Sequence, residues 1–178
     1  MSQAVAIRAL GSADLPDYKR LRDDMLALHP EAFTSDAESE SVKAPADYLH
    51  RLGLERRDGG QFLLGAWRSP RFLGSPQLVG AIGCERDDRR KVRHIGKVIG
   101  MMVRPEARGA GIGALLLQAC IAEARHAGVE TLILTVTAEN ASAVRLYERH
   151  GFIAYGTLAR AIKVADRYHD KLHMALAL

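Results

Sequence analysis

One run constrains this chain more than any other: Val103-Arg104-Pro105-Glu106-Ala107-Arg108-Gly109-Ala110-Gly111-Ile112-Gly113-Ala114. An apolar strand pattern leads straight into it, and an amphipathic helix pattern leads straight out. Gly109, Gly111 and Gly113 carry no Cβ, so an anion can approach the main chain closely. The first amides of a helix lack internal partners and point outward. The helix dipole places about half a positive charge at the same end. Together these features make a socket for phosphate oxygens, and Arg108 adds a permanent positive charge at its rim.

Three readings of this turn compete. A glycine-rich helix start without a ligand would weaken the helix by roughly 1 kcal/mol for each glycine inside it, with nothing in return. A dinucleotide site would use Gly109-x-Gly111-x-x-Ala114, which fits the pattern. That motif belongs on an early strand of repeated βαβ units, with an acidic residue closing the next strand. Here a meander precedes the turn, and the next strand ends Leu134-Thr135-Val136. The third reading is a coenzyme A pyrophosphate site, and it depends on the rest of the chain.

Along the chain, residues 5–10 read as a strand. Residues 14–28 read as a helix, with Leu21, Met25 and Leu28 at helical steps, Ser12 as its cap and Pro16 in its first turn. Residues 29–44 are polar and acidic, a loop with some helix. Pro45 opens a short helix to about Arg57, ended by Asp58, Gly59 and Gly60. Strands follow at 62–67, 78–86 and 93–103, the last two forming an antiparallel hairpin around a polar tip at 87–92. Residues 111–127 are helical and stop at Gly128. The unbroken apolar run 131–136 suggests a strand buried on both faces. Asn140 caps a further helix that ends at Gly151. Strands at 152–162 and 168–176 close the chain, joined by a turn near Asp166. The order predicts a single α/β (α+β) domain over residues 1–178. Its sheet is mixed but mostly antiparallel, and one strand–helix–strand crossover places two strands parallel.

The run Arg108-Gly109-Ala110-Gly111-Ile112-Gly113 resembles the acyl-CoA signature of the GNAT superfamily of N-acyltransferases, Arg/Gln-x-x-Gly-x-Gly/Ala. The approach Val103-Arg104-Pro105-Glu106, the pair Asn140 and Tyr147, and the following Gly151-Phe152 are similar to that family as well. The resemblance covers nearly the whole chain. It implies a six- to seven-stranded sheet flanked by four helices and splayed between the fourth and fifth strands. It also implies acetyl-CoA as cosubstrate, with no metal, and a primary amine of a small molecule or protein as acceptor, attacked directly in a ternary complex. Dimers are common in that family, so a homodimer is a candidate assembly.

Carried over residue by residue, the resemblance assigns the pyrophosphate to the amides of Arg108, Gly109, Ala110, Gly111, Ile112, Gly113 and Ala114. The pantetheine arm would pair with the strand edge at Met101, Met102 and Val103, as an added strand would. A backbone N–H of Met102 or Val103 would polarise the thioester carbonyl. Asn140 would touch the cofactor as well as capping its helix. Tyr147 would be the general acid that protonates the leaving thiolate, although helical spacing alone would place it in the core. Some family members carry a glutamate on the strand before the loop, and this chain has none between Arg93 and Val103. His94, Lys97, Glu85, Glu139 or a water relay remain open as the base. That gap keeps a second class in view, a non-catalytic CoA-binding or regulatory module on the same fold. A nicotinamide oxidoreductase is the third and weakest reading.

Composition enters only as exclusion. A net charge of +4 is mild, and the basic run at Arg89, Arg90, Lys91 and Arg93 sits beside Asp87 and Asp88, so the stretch is mixed in sign. It reads as a solvated hairpin tip, so no nucleic-acid partner is expected. Cys84 and Cys120, the only cysteines, sit in apolar segments and read as buried free thiols. With no leader pattern at 1–10 and no apolar run of spanning length, a cytoplasmic protein without membrane contact is expected. His169 and His173 are too few for a metal site. The acidic loop 31–40 is a candidate receptor for a cationic acceptor, though a solvated loop explains it as well.

Overall fold

The alternating and helical patterns of the sequence assemble into one seven-stranded sheet. The computed structural model describes residues 4–55, 59–70 and 74–178. Its strands are β1 (Val5–Ala9), β2 (Phe62–Arg68), β3 (Gln77–Arg86), β4 (Ile95–Val103), β5 (Thr131–Thr137), β6 (Ile153–Val164) and β7 (Arg167–Ala177). The α-helices are α1 (Leu15–Leu28), α2 (Ala37–Ser41), α3 (Ile112–His126) and α4 (Ala141–Arg149). Three 3-10 segments add Ser12–Asp14, Pro45–Leu52 and Pro105–Ala107.

The strand order is β1-β2-β3-β4-β5-β7-β6. Every neighbouring pair is antiparallel except β4 and β5, which the crossover through α3 makes parallel. Their pairing stops almost at once. It covers Ile95 with Thr131, Gly96 with Leu132 and Lys97 with Ile133, and then the two strands part. From Val98 onward, the β5-facing edge of β4 has no strand beside it among the described residues. On its other edge β4 carries a bulge: Ala81 faces Met102 while Gly83 faces Ile99. The extra residue falls around Gly100, whose φ of +58° is one that a side chain disfavours.

Two cores cover the two faces of the sheet. Leu116, Leu117 and Cys120 of α3 pack with Val79, Ile82, Leu132 and Met174. Tyr18, Leu21 and Met25 of α1 pack with Tyr48, Leu63 and Met102 on the opposite face. Fully burying side chains of this size contributes about 1.5–3 kcal/mol each.

Local expectations need four corrections. Ser12 does not cap α1. It lies in a 3-10 turn, Asp14 is the N-cap residue, and the Asp14 carboxylate accepts from the amide of Gly11 at 2.9 Å. Leu28 keeps the helical spacing but ends α1 on the surface, 55% exposed. The helix opened by Pro45 is 3-10 and stops at Leu52, where Gly53 turns left-handed. The stop expected at Arg57 and Asp58 lies outside the described residues. Finally, β5 is buried unevenly, since on its second face only Thr137 is buried. Leu132, Leu134 and Val136 are buried while Thr135 is exposed, and the parting of β4 from β5 opens a cavity beside Thr135.

Candidate active site

The turn between β4 and α3 is built as its glycines suggest. Gly109 and Gly111 take φ values of +78° and +75°, and a Cβ placed on either would meet nothing within 4 Å. Both therefore serve backbone shape and leave open space above the chain. Gly113 differs, since a Cβ there would lie 3.3 Å from Leu146 of α4, so its smallness lets the two helices approach. Among the described residues, no backbone hydrogen bond is donated by the amides of 109–114. The amide of Arg108 is already engaged, donating to the carbonyl of Pro105 at 3.2 Å. Arg108 thus offers its guanidinium rather than its amide, and one of its Nη atoms lies 2.7 Å from Nε2 of His29.

A cavity of about 860 Å³ runs from this turn into the gap between β4 and β5. It is lined by Met101, Met102, Val103, Arg108, Gly109, Gly111, Ile112, Gly113, Ala114 and Asn140. Of the residues expected to hold the cofactor, Ala110 and Tyr147 are not on this wall. Arg149 and Arg167 join Arg108 there, against Glu31 and Glu139. The excess of positive charge suits a polyphosphate. Asn140 caps α4 through its side chain, which accepts from the amide of Ala143 at 3.2 Å.

A second cavity, of about 310 Å³, lies along the other side of the gap. The two share Ala32, Phe33, Met101, Thr137, Asn140 and Ala143 in their walls. Tyr147 lines this smaller cavity. Its ring is 6% exposed and meets Phe152 edge-on, with centroids 5.8 Å apart. Burial, with the neighbouring Cys120 thiol, pushes the Tyr147 hydroxyl well above its ordinary pKa, which keeps it protonated. Core packing and a role at the cavity therefore coexist in one residue.

The candidate bases separate. Glu85 and Lys97 are cross-strand partners and both line the smaller cavity. Glu139 lines the larger one, 3.6 Å from Nδ1 of His169. His94 lines neither, and its carbonyl accepts from the amides of Glu130 and Thr131. The cysteines are both buried and free. Burial, then Glu85, pushes the Cys84 thiol up to about 12, which leaves no thiolate to act as a nucleophile at neutral pH. Among the described residues no cluster of His, Cys, Asp and Glu fits a metal ion. His173 packs against Tyr155, apart from any such group. No helix among them is long and apolar enough to cross a membrane.

The acidic loop is occupied with its own folding. Asp36 caps α2 through the amide of Ser39 at 2.7 Å. Glu40 is 4% exposed and accepts from Arg22 at 2.6 Å, from Tyr48 at 2.7 Å and from Lys43. Glu31 faces the larger cavity rather than the smaller. What the sequence did not single out is the set of cations on the smaller cavity, Arg22, Arg51 and Lys171. Arg22 and Arg51 fall in ordinary polar helical stretches, and nothing in their spacing marks them. Lys171 interrupts the alternation of a strand, which is a weak signal.

Comparison with known proteins places these features in a family. The Acetyltransferase (GNAT) family matches residues 21–152. The chain is 34% identical to an L-methionine sulfoximine/L-methionine sulfone acetyltransferase of Pseudomonas aeruginosa, over 98% of this chain and 95% of that one. It is 32% identical to a mycothiol acetyltransferase of Cellulomonas flavigena, over 83% of this chain but only 40% of that longer protein. Its fold matches a Salmonella typhimurium structure that holds acetyl-CoA as cofactor, with a TM-score of 0.80, 20% identity, and coverage of 98% and 94% of the two chains.

Proposed function

This chain belongs to the GNAT family of acetyltransferases, and from that premise we propose that it moves the acetyl group of acetyl-CoA to a primary amine. The amine belongs to a small molecule or a protein and attacks directly in a ternary complex. We take residues 1–178 as a single acetyltransferase domain, acting in a reducing compartment such as the cytoplasm, where Cys84 and Cys120 stay free.

One observation carries the reading. Two cavities meet along the unpaired edge of β4, and the larger one ends on unengaged amides at the start of a helix. Amides of Gly109 to Ala114 take the pyrophosphate, with Arg108, Arg149 and Arg167 supplying charge around it. The bulge at Gly100 and the loss of β5 leave main-chain donors and acceptors of Met101, Met102 and Val103 open to an amide-bearing arm. The thioester then lies where the cavities join, and the amine enters from the smaller one. Its nitrogen forms the new bond to the carbonyl carbon, and the carbon–sulfur bond breaks. The departing thiolate takes a proton from the Tyr147 hydroxyl, and the proton given up by the amine restores the phenol, because burial disfavours a lasting tyrosinate. The amine releases its own proton into the smaller cavity, where Glu85 is the only carboxylate on the wall among the described residues. Holding both reactants in joined cavities supplies the proximity term.

The test is release of free CoA thiol from acetyl-CoA with a panel of amines, together with the mass of the acetylated product. Tight binding of CoA with no thiol release for any amine would leave a binding module in place of an enzyme.

A further inference from the structure

We propose that the acceptor is itself an acid: a small amine of the α-amino acid class, whose carboxylate is held by Arg51. The proposal rests on the acetyltransferase reading above and narrows its substrate.

The smaller cavity is strongly unbalanced in charge. Among the described residues Arg22, Arg51, Lys97 and Lys171 face it, against the single carboxylate of Glu85. Two of these cations are already committed. Arg22 is neutralised by Glu40 at 2.6 Å. Lys171 donates to the carbonyl of Ala32 at 2.8 Å and to the hydroxyl of Thr137 at 3.1 Å. Arg51 is held without being neutralised. Its Nη1 donates to the Tyr18 hydroxyl at 3.0 Å, and its guanidinium lies 5.5 Å from the Tyr48 ring centroid. Its Nε is buried with no hydrogen-bond partner. Among the described residues no carboxylate lies within ion-pair distance of it. A fixed, partly desolvated guanidinium with an unused donor is costly unless an anion completes it. A carboxylate matches its planar fork.

Its position gives the anion a purpose. Nη1 of Arg51 lies 3.8 Å from the point a Cβ on Gly100 would occupy, beside the bulge and next to Met101, where the two cavities join. In an α-amino acid a single carbon separates amine and carboxylate. Pairing the acid with Arg51 therefore leaves the nitrogen close to the strand edge that receives the thioester. Lys97 adds positive charge nearby, and its cross-strand partner Glu85 faces the ammonium. A polypeptide amine brings a neutral amide where the carboxylate would be, and would leave Arg51 unmatched. The cavity, at about 310 Å³, is at the lower end of small-molecule sites.

The experiment compares free amino acids with their primary amides and with the corresponding decarboxylated amines, reading kcat/KM by thiol release and CoA affinity by calorimetry. At least one amino acid should be acetylated about 10²-fold more efficiently than its amide and its decarboxylated amine. Arg51→Met should remove that preference by raising KM for the amino acid about 10²-fold, with CoA affinity unchanged. Lys97→Glu, a change at an exposed position, should raise KM for the amino acid about tenfold. Equal rates on the acid and its amide, or turnover only with amines that lack an acid, would overturn the proposal. If acetyl-CoA itself does not bind, the acetyltransferase reading falls first, which separates the two failures.

Discussion

Lys171 of β7 donates a hydrogen bond across 3.1 Å to the hydroxyl of Thr137 at the end of β5. The same ammonium donates to the carbonyl of Ala32, and the Thr137 hydroxyl donates to the carbonyl of Glu31 at 2.8 Å. A loop far away in sequence is thereby fixed to the wall shared by both cavities. Burial lowers the pKa of Lys171 without giving it a carboxylate partner at contact distance. Its value to the fold is thus the two hydrogen bonds. Lys171→Met should leave the Ala32 carbonyl unsatisfied and destabilise the protein by about 1–3 kcal/mol. Thermal unfolding measures that, and KM should rise for both substrates because Ala32 and Phe33 line both cavities.

Gly111→Glu tests the phosphate turn. The position has φ +75° and open space above it, so the substitution adds backbone strain of about 1–2 kcal/mol and aims a carboxylate at the expected diphosphate. CoA affinity should fall by 10²-fold or more in calorimetry, on the order of 3 kcal/mol, while the protein stays folded. Unchanged affinity would remove the turn from the binding site.

Tyr147→Phe keeps the edge-on packing with Phe152 and loses only the hydroxyl. Turnover should fall by about 10²-fold, the usual contribution of a general acid. KM for acetyl-CoA should stay near the wild-type value, because the ring lies off the larger cavity's wall. Steady-state kinetics decide it, and wild-type turnover would end the proton-donor role.

Glu40 sets the acid limit of the fold. Burial alone would raise its pKa, but hydrogen bonds from Lys43, Arg22 and Tyr48 outweigh burial and hold it at about 2, against an ordinary 4.5. The folded state therefore binds its proton less readily than the unfolded chain does. The stability from this group is present above pH 4.5 and is lost as pH falls from there towards 2. A shift of that size corresponds to about 3 kcal/mol. Glu40→Gln should lower stability at pH 7 by a similar amount and flatten the loss between pH 4.5 and 2, as read from urea unfolding at a series of pH values.

The parts of the site that were legible in the sequence are those governed by local chemistry. Gly109 and Gly111 announce positive φ and an open main chain. Asn140 announces a cap, and Gly128 a helix stop, at φ +70°. The apolar periods locate the strands to within a residue or two. Local rules failed where a distant partner intervened. Ser12 looked like a cap, but it lies in a 3-10 turn, and the N-cap position falls to Asp14, whose carboxylate accepts from the upstream amide of Gly11 and from Arg8. The apolar run of β5 looked buried on both faces, yet Thr135 is exposed where β4 parts from it. The acidic loop read as solvated, with a receptor for a cation as the alternative, but Arg22 and Tyr48, from other helical segments, use its most buried carboxylate, Glu40.

What the sequence determined by itself is a glycine turn with free amides on a strand–helix junction, because φ, free amides and helix dipole are properties of a few consecutive residues. What only the tertiary structure decided is which charges line the smaller cavity. Arg51, Lys97 and Lys171 come from three separate elements, and their side chains face one cavity only once β4 and β5 diverge. Electrostatic fields depend on distance in space, and spacing along the chain does not encode that distance when the contacts span the whole sheet.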